Sequence, residues 1–350
     1  MKAAYARYTL RFKEPAITSR STMTVKDTYF IKLWDEADPS HFGIGECALF
    51  KGLGADDVPN YEATLAHLCQ CIGEDSPCDI SSYSSIRFGL DTALLAYQNG
   101  NPFTPLPSPF TEGRESIIIN GLIWMGDAEV MTRRITEKLE KGFSCIKLKI
   151  GGIDFNRELE ILDKLRCAFS PERLTIRLDA NGAFSPDDAM ERLNRLAVLD
   201  IHSIEQPIRQ GQWDKMAYLC ANTPIPIALD EELIGIDSLI DKRKMLTYIA
   251  PQYIILKPAL CGGLSGATEW MQIAEQKNIG WWVTSALESN IGLNALAQWV
   301  ACLDVDMPQG LGTGQLYENN IPSPLTLDGE RLSYQADKQW ELPDLNWIEG

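Results

Sequence analysis

Short apolar, β-branched runs alternate with amphipathic stretches of helical periodicity from residue 116 onward. Eight strand and helix repeats predict an α/β fold in which parallel strands form a barrel inside a ring of helices. A doubly wound open sheet is the alternative, but nothing in the chain resembles its GxGxxG loop. The runs are SIIINGLIW, SCIKLKIGG, LTIRLDANG, IHSIEQPI, PIALDEEL, YIILKPAL, GWWVTSALE and, more weakly, QGLGTG.

The first hundred residues have a different pattern. Strand-like segments come first, such as TYFIKLWD and HFGIGECALF, and helical patterns such as YEATLAHLCQCIG follow, which predicts a small α+β unit. Four prolines from 102 to 109 mark a boundary, because proline disrupts both helix and sheet. We therefore expect an α+β domain over 1–108 and the barrel over 109–320. The segment 321–350, with the hairpin-like LTLDGERLSYQADKQW, is expected to pack back on the first domain.

Composition narrows the classes of partner and compartment. The formal net charge is −16, which disfavours nucleic acid and anionic membrane surfaces as partners. No apolar run approaches the ~20 residues of a membrane span, and the first residues lack the apolar core of a signal peptide. Nine scattered cysteines contain no pair of CxxC motifs. These features predict a cytoplasmic protein with no membrane partner, and they leave the oligomeric state open.

Polar residues end five consecutive strands of the predicted barrel, where apolar residues would suffice for folding. Successive members are 25 to 30 residues apart, one strand and helix unit each. The carboxyl ends of barrel strands meet at one mouth, where active sites of this fold lie. The five are therefore expected to face a common centre; they are Lys149, Asp179, Glu205, Asp230 and Lys257.

The three acids of this set predict a metal site. Two carboxylates ~4 Å apart repel each other by about 4 kcal/mol at an effective dielectric of 20, so three together call for a cation. Ligation by oxygen alone suits Mg²⁺, with Mn²⁺ as the alternative ion. Each acid taken singly fits a helix N-cap as well as a ligand. Glu231 and Glu232 directly follow Asp230 and leave open which acid binds.

The lysines fit a proton-transfer role. Lys147 and Lys149 are two residues apart on one strand face, ~6.6 Å from each other. Lys149 and Lys257 would flank a bound carboxylate substrate, and one of them could remove the proton α to that carboxylate. Such a base must be neutral, which the charge of Lys147 and desolvation would favour. Arg177 shares the face of Asp179 and either adds positive potential or forms a structural salt bridge.

The ordered set of motifs K-x-K, D-x-N, E-Q-P, D-E, K-P and SALESNIG, after GIGECALF and RFGLDTALLA, resembles the enolase superfamily and specifically its muconate-lactonizing subgroup. This resemblance covers nearly the whole chain. It implies a modified TIM barrel, (β/α)7β, with an N-terminal α+β capping domain. It further implies Mg²⁺ on Asp179, Glu205 and Asp230, and catalytic lysines at 149 and 257.

Within the subgroup, the resemblance favours the dehydration of 2-succinyl-6-hydroxy-2,4-cyclohexadiene-1-carboxylate to 2-succinylbenzoate, on the path to menaquinone. Dipeptide epimerization and N-acylamino acid racemization are the alternatives, because they share the same first proton transfer. Asp304 and Asp306 lie roughly where dipeptide epimerases of the subgroup carry an Asp-x-Asp motif. We interpret this pair instead as the end of a helix or a loop.

Substrate contacts are assigned by position alone. The expected partner is a small-molecule carboxylate, closed in by a mobile loop at PAITSRSTMTVKD. The residues expected either to contact it or to support the residues that do are Lys147, Arg177, Asn181, Ser285, Ser289 and Gly312. A metal-free Schiff-base lyase that uses Lys149 or Lys257 as nucleophile is a more remote hypothesis. A barrel that binds ligand without catalysis is another.

Overall fold

The computed structural model describes residues 1–17 and 22–350 of the chain, so residues 18–21 of the predicted capping loop lie outside the described part. The chain begins with an antiparallel sheet whose strand order is β14-β1-β2-β3. Two helices, α1 (Tyr61–Glu74) and α2 (Ser84–Gln98), follow its first three strands. These strands are β1 (Lys2–Ile17), β2 (Thr22–Trp34) and β3 (Phe42–Cys47), and β14 (Ile348–Glu349) comes from the end of the chain.

Helix α2 packs directly on β3 because two glycines allow a close approach. A Cβ atom on Gly45 would lie 1.9 Å from the carbonyl oxygen of Gly89, and one on Gly43 would lie 2.0 Å from that of Ala93. Apolar side chains of both helices bury against the sheet in a separate core. This sheet and its two helices form the capping domain that the strand and helix order predicted.

Seven parallel strands in the order β5 to β11 form the wall of the second unit, and a helix follows each of them. The strands are β5 (Gly121–Ile123), β6 (Cys145–Lys149), β7 (Thr175–Asp179), β8 (Ser203–Glu205), β9 (Ile227–Leu229), β10 (Tyr253–Leu256) and β11 (Gly280–Val283). The helices are α3 (Ala128–Glu140), α4 (Phe155–Ala168), α5 (Ala189–Ala197), α6 (Trp213–Asn222), α7 (Leu239–Ile249), α8 (Gly263–Gln276) and α9 (Asn290–Val300).

The barrel closes through two residues of the weak run QGLGTG. Gln309 makes a parallel bridge to Ile119, and Gly310 makes one to Thr284 at the end of β11. These two residues take the place of an eighth strand, and a short 3-10 helix, Gly312–Gln315, follows them. The predicted modified TIM barrel, (β/α)7β with an N-terminal α+β capping domain, is thereby confirmed.

The first barrel run contributes strands to two different sheets, and so does the C-terminal part of the chain. SIIINGLIW forms β4 (Ser116–Ile118) and β5, and β4 pairs with the C-terminal hairpin of β12 (Leu325–Asp328) and β13 (Arg331–Tyr334). The hairpin and β4 form a three-stranded sheet in the order β12-β13-β4, separate from the capping sheet. β14 joins the capping sheet beside β1, and Leu345 shares a hydrophobic cluster with Ala6 and Phe30 of that sheet. The domain limits 1–108, 109–320 and 321–350 remain a prediction.

Alternation along β6 explains its unusual composition. Ile146 and Leu148 belong to the main hydrophobic core, while Lys147 and Lys149 occupy the opposite face, toward the barrel interior. All five residues of the strand are buried. In the described ranges 1–17 and 22–350, no helix has both the length and the apolar character needed to cross a bilayer.

Candidate active site

Three acids stand side by side at the carboxyl ends of adjacent strands. Asp179 ends β7, Glu205 ends β8, and Asp230 directly follows β9. Backbone register places Asp179 opposite Glu205, and Lys149 opposite Asp179 on the other side. All three carboxylates are at most 3% exposed. The spacing of about one strand and helix unit therefore brings the predicted acids together.

Three lysines reach this row of acids. Lys147 Nζ lies 2.9 Å from Asp179 Oδ2 and 2.5 Å from Glu205 Oε2. Lys257, which directly follows β10, forms an ion pair with Asp230, and its Nζ lies 3.9 Å from Glu205 Oε1. Lys149 Nζ lies 2.9 Å from Asp179 Oδ2. Neighbouring acids thus share an ammonium group, and Lys149 and Lys257 stand at the two ends of the row.

The buried lysines and carboxylates of this row shift one another's pKa values strongly. Burial alone would lower the pKa of Lys147, but the carboxylates of Asp179 and Glu205 outweigh it and hold that pKa well above its usual range. The pKa of Lys257 is raised for the same reason, chiefly by Asp230. Burial would raise the pKa of Asp179, yet the lysines hold it far below the ordinary value. Burial and then the charge of Asp179 raise the pKa of Glu205.

The structure separates the three consecutive acids after β9. Asp230 faces the row, while Glu231 Oε1 accepts a hydrogen bond of 3.1 Å from Asn181 Nδ2 at the pocket wall. Glu232 turns elsewhere: it accepts hydrogen bonds from Gln206 Nε2 at 3.0 Å and from the Gly211 backbone at 2.8 Å. Asp230 is thus the member of the trio that stands in the row.

The donor set fits a hard divalent cation. Three buried carboxylates supply only oxygen, and every one of them is paired with a positive charge, so the row favours a cation. Lysine ammonium groups lie between the acids, and the three carboxylates do not all lie within 4.8 Å of one another. Lys147 bridges Asp179 and Glu205, and Lys257 bridges Glu205 and Asp230. Asp179, Glu205 and Asp230 are the residues that could hold such an ion.

A pocket opens above the lysines between the barrel mouth and the capping domain. Met23, Phe50 and Leu53 of the capping domain cover it, and Lys51 stands at its edge. Trp124, just after β5, lines the opposite side, with its ring centroid 5.6 Å from Lys149 Nζ. Met23 belongs to the segment PAITSRSTMTVKD that the sequence predicts to close over the substrate, whereas sequence reasoning missed the other residues, Phe50, Lys51, Leu53 and Trp124. Trp124 could have been found, because it ends the first barrel run as the other site residues end theirs; the capping residues carry no such signal.

The predicted substrate contacts divide into two groups. Lys147, Lys149, Asn181, Lys257, Ser285 and Gly312 all line the pocket. The Ser285 hydroxyl accepts a hydrogen bond of 2.6 Å from Thr313 Oγ1 and donates one to Glu288. Asn181 Oδ1 accepts a hydrogen bond of 2.8 Å from Lys149 Nζ.

Arg177 and Ser289 do not line the pocket, so a place for them around the substrate remains a prediction. The Arg177 guanidinium donates to the Pro308 carbonyl at 2.8 Å and stacks 4.1 Å from the Trp282 ring centroid. Its position two residues before Asp179 places it one layer deeper in the barrel. Within the described ranges, no carboxylate forms a salt bridge with Arg177. Ser289 is turned toward the capping domain by its role as the N-cap of α9.

A buried polar network joins the capping domain to the loop after β11. Glu46 on β3 accepts hydrogen bonds from Thr28 Oγ1 at 2.8 Å and from the Ser289 hydroxyl at 2.6 Å. Lys26 is buried nearby, and burial lowers its pKa although the charges of Glu46 and Glu288 oppose the shift. Burial raises the pKa of Glu288. Because Glu288 also holds Ser285, the network links the capping sheet to the pocket wall.

Asp304 and Asp306 do not line the pocket. They follow α9 and line two surface cavities near Met307. Their place after the helix agrees with the interpretation of the pair as a helix end and loop. An ammonium group of a substrate in the pocket would not meet them.

Comparisons with known proteins agree with this geometry. The family model for enolase C-terminal domain-like proteins matches residues 130–334. The o-succinylbenzoate synthase of Desulfotalea psychrophila is 46% identical over 95% of this chain and 98% of its own length. The crystal structure of MenC from the same organism superposes with a TM-score of 0.85, at 43% identity, over 95% of this chain and 99% of that one.

A more distant structure shares the fold. The dipeptide epimerase of Enterococcus faecalis, solved with Mg and the dipeptide L-Leu-L-Tyr, superposes with a TM-score of 0.79 at 18% identity, over 95% of this chain and 96% of that one. The matched family model spans all of the site residues on β6 to β10, and the similarity to the Desulfotalea synthase extends over the capping domain as well. The chain belongs to the enolase C-terminal domain-like family of the enolase superfamily.

Proposed function

We propose that the chain catalyses the reaction of an o-succinylbenzoate synthase, the dehydration of 2-succinyl-6-hydroxy-2,4-cyclohexadiene-1-carboxylate to 2-succinylbenzoate on the path to menaquinone. The observation that carries this proposal is the 46% identity to the Desulfotalea synthase over 95% of the chain. The pocket supports it, because two lysines end a row of buried acids beneath an apolar cover. A reducing compartment such as the cytoplasm suits the nine unpaired cysteines.

Mg²⁺ is the proposed cofactor, held by Asp179, Glu205 and Asp230, within the class of divalent metals that superfamily members use. When bound, Mg²⁺ would polarise the substrate carboxylate and add two positive charges beside the lysines, which favours a neutral, basic amine. The alternative ion, Mn²⁺, suits the same oxygen ligands.

Lys149 is the proposed base. A lysine accepts a proton only in its neutral form, so the pairing of Lys149 Nζ with Asp179 must break before the transfer. Nζ then takes the hydrogen from C1 of the ring, α to the carboxylate. The electron pair left at C1 forms a ring double bond as the hydroxyl leaves C6, and Lys149 returns its proton to that hydroxyl. Water and an aromatic ring are the products, and the lysine ends neutral as it began.

Lys257 and the capping domain assist this transfer. Lys257 Nζ stands at the opposite end of the acid row, where its positive charge favours the enediolate that forms when C1 loses its proton. Met23, Phe50 and Leu53 cover the pocket with apolar surface. This cover keeps water from the reacting carbons and strengthens the interaction of Lys257 with the developing charge.

Formation of 2-succinylbenzoate, with Mg²⁺ present and then removed by a chelator, tests the proposal. We expect product with Mg²⁺, loss of activity on chelation and recovery when Mg²⁺ is restored. No product from the purified enzyme with Mg²⁺ would refute the proposed activity. Turnover that persists unchanged with chelator would refute the role of the metal and support the Schiff-base alternative.

Epimerization is the second candidate, because epimerases are also among the curated relatives. The hydrophobic dipeptide epimerase of Enterococcus faecalis is 28% identical over 56% of this chain and 56% of its own length. Dipeptides and N-succinyl amino acids incubated with the enzyme in D₂O would gain deuterium at the α-carbon if this candidate were correct. We expect exchange with dipeptides to be far slower than dehydration, because Asp304 and Asp306, which would bind the dipeptide ammonium group, lie outside the pocket.

A further inference from the structure

A histidine and two cysteines converge at the end of α1, outside the catalytic pocket. His67 and Cys71 are one helical turn apart and share a face of α1, where Cys71 Sγ lies 3.5 Å from His67 Nε2. Cys78 approaches them from the segment after the helix. One ligand atom from each of the three residues lies within 4.8 Å of the other two. In the described ranges, no other set of three His, Cys, Asp or Glu residues meets this distance.

The chain folds back at the end of α1 and so delivers Cys78. Asp75 takes a left-handed conformation with φ of 54° and ends the helix. The next residue, Ser76, donates its backbone N–H to the Cys71 carbonyl at 2.8 Å. The backbone itself thus holds the returning segment against the helix turn that carries Cys71.

The three donors have the chemistry of a soft metal site. Thiolate sulfur and imidazole nitrogen are the ligands that Zn²⁺ prefers, whereas Mg²⁺ selects oxygen. Cys71 is buried and Cys78 is half-buried, while His67 is exposed, so an ion can reach the sulfurs from solvent. Binding of such an ion displaces the thiol proton of each cysteine ligand.

We propose that His67, Cys71 and Cys78 bind one thiophilic divalent ion of the Zn²⁺ class and that this ion ties the segment 75–78 to α1. The site is structural and does not depend on the proposed function, because none of its three residues lines the catalytic pocket. Both cysteines are free thiols, so the sulfurs are available to the ion.

A Co²⁺ titration of the full chain tests the proposal, with saturating Mg²⁺ to fill the carboxylate site and a phosphine reductant to prevent a disulfide. Thiolate-to-cobalt charge-transfer absorption reports sulfur ligation and is silent for Co²⁺ on carboxylates. We expect one equivalent of Co²⁺ to give this absorption in the native protein and Zn²⁺ to displace it. Absence of the absorption in the native protein would overturn the proposal.

Matched variants locate the site. We expect Cys78→Ser to lose most of the absorption and His67→Gln to weaken Zn²⁺ binding by at least about 10-fold. Cys167→Ser, which changes an exposed cysteine on α4, serves as the control and should match the native protein. An unchanged absorption in Cys78→Ser, or its loss in Cys167→Ser, would contradict the assignment. His67 is exposed, so His67→Gln keeps the test valid even if Cys78→Ser fails to fold.

The structural role has its own readout. Zn²⁺ that binds only the folded protein raises its melting temperature by mass action. We expect this rise in the native protein and not in His67→Gln, both measured with Mg²⁺ saturating. An equal rise in the two proteins would place the ion elsewhere and contradict the proposal.

Discussion

The Glu46 carboxylate on β3 accepts hydrogen bonds from both the backbone N–H and the hydroxyl of Ser289, at 2.9 and 2.6 Å. It also accepts the Gly292 backbone N–H at 2.9 Å, so a side chain of the capping domain satisfies the free amides that begin α9 of the barrel. A carboxylate is favoured there by the helix dipole as well. This contact couples the capping sheet to the loop that carries Ser285 into the pocket.

Glu46→Ala should therefore destabilise the protein markedly. The change leaves two buried amides and the hydroxyls of Thr28 and Ser289 without Glu46 as their acceptor, beside the buried Lys26, at a cost of about 3–5 kcal/mol. Urea unfolding at neutral pH measures this loss. Glu36→Ala serves as the control, because the Glu36 side chain is 78% exposed and its ion pair with Lys2 should contribute under about 1 kcal/mol. Equal effects of the two changes would argue against the interdomain contact.

The acids after β9 offer a direct test of metal ligation. Asp230→Asn should weaken Mg²⁺ binding by about 100-fold or more, because it removes one of three anionic ligands. Glu232→Gln should leave the Mg²⁺ affinity of the folded protein within about 3-fold, since Glu232 binds Gln206 and Gly211 instead. Calorimetric titration with Mg²⁺ distinguishes the two. A larger loss of Mg²⁺ affinity in Glu232→Gln than in Asp230→Asn would show that Asp230 is not the metal ligand.

His202 should make the protein less stable in acid. Its ring packs against Tyr253 and Trp282, and burial, with the nearby charge of Arg177, lowers its pKa to about 4 from 6.5. The unfolded chain therefore takes up a proton at higher pH than the folded chain does. Stability from this residue is complete above pH 6.5 and is lost as the pH falls toward 4.

Replacement of His202 by Phe should reduce this acid sensitivity. Between pH 7 and pH 5, the native protein should lose about 1–2 kcal/mol more unfolding free energy than His202→Phe, after allowance for partial exposure of the ring. Urea unfolding at the two pH values gives the comparison. If the unfolding free energy of the native protein and of His202→Phe fell equally between pH 7 and pH 5, His202 would not be the cause of the acid sensitivity.

Asp306→Asn should leave turnover within about 2-fold of native, as expected of a surface loop outside the pocket. Steady-state kinetics on the cyclohexadiene substrate measures this. The double variant, Asp304→Asn with Asp306→Asn, should also keep turnover within about 2-fold of native. A large rise in KM for either variant would indicate that these acids contact the substrate and would favour the epimerase alternative.

Strand-end chemistry made much of the site predictable. Residues such as Asp179 and Glu205 end short buried strands one repeat apart, and barrel geometry alone brings such ends together. The alternation of β6 likewise fixed the shared face of Lys147 and Lys149. The local pattern was sufficient to predict these positions, because a side chain on a strand of a parallel sheet can point only to one face or the other.

Other features depend on tertiary contacts that no local pattern encodes. Arg177 follows the same alternation as the site residues, yet it points to Pro308 one layer below them, because alternation fixes a face but not a depth. Ser289 lies outside the pocket lining because its hydroxyl donates a hydrogen bond to Glu46, more than two hundred residues earlier in the chain. The pairing of β4 with the C-terminal hairpin has the same origin, since strand partners far apart in sequence leave no periodic signal.

The rate of 2-succinylbenzoate formation by Lys149→Ala, compared with the native enzyme and with Lys215→Ala at an exposed position, tests the central claim most directly. Mg²⁺ affinity, measured on the same samples, shows whether the acid row remains intact. We predict a loss of at least about 1,000-fold in turnover for Lys149→Ala, with Mg²⁺ affinity nearly unchanged and native activity in Lys215→Ala. Native-like turnover by Lys149→Ala, or a matching loss in Lys215→Ala, would contradict the assignment of Lys149 as the base.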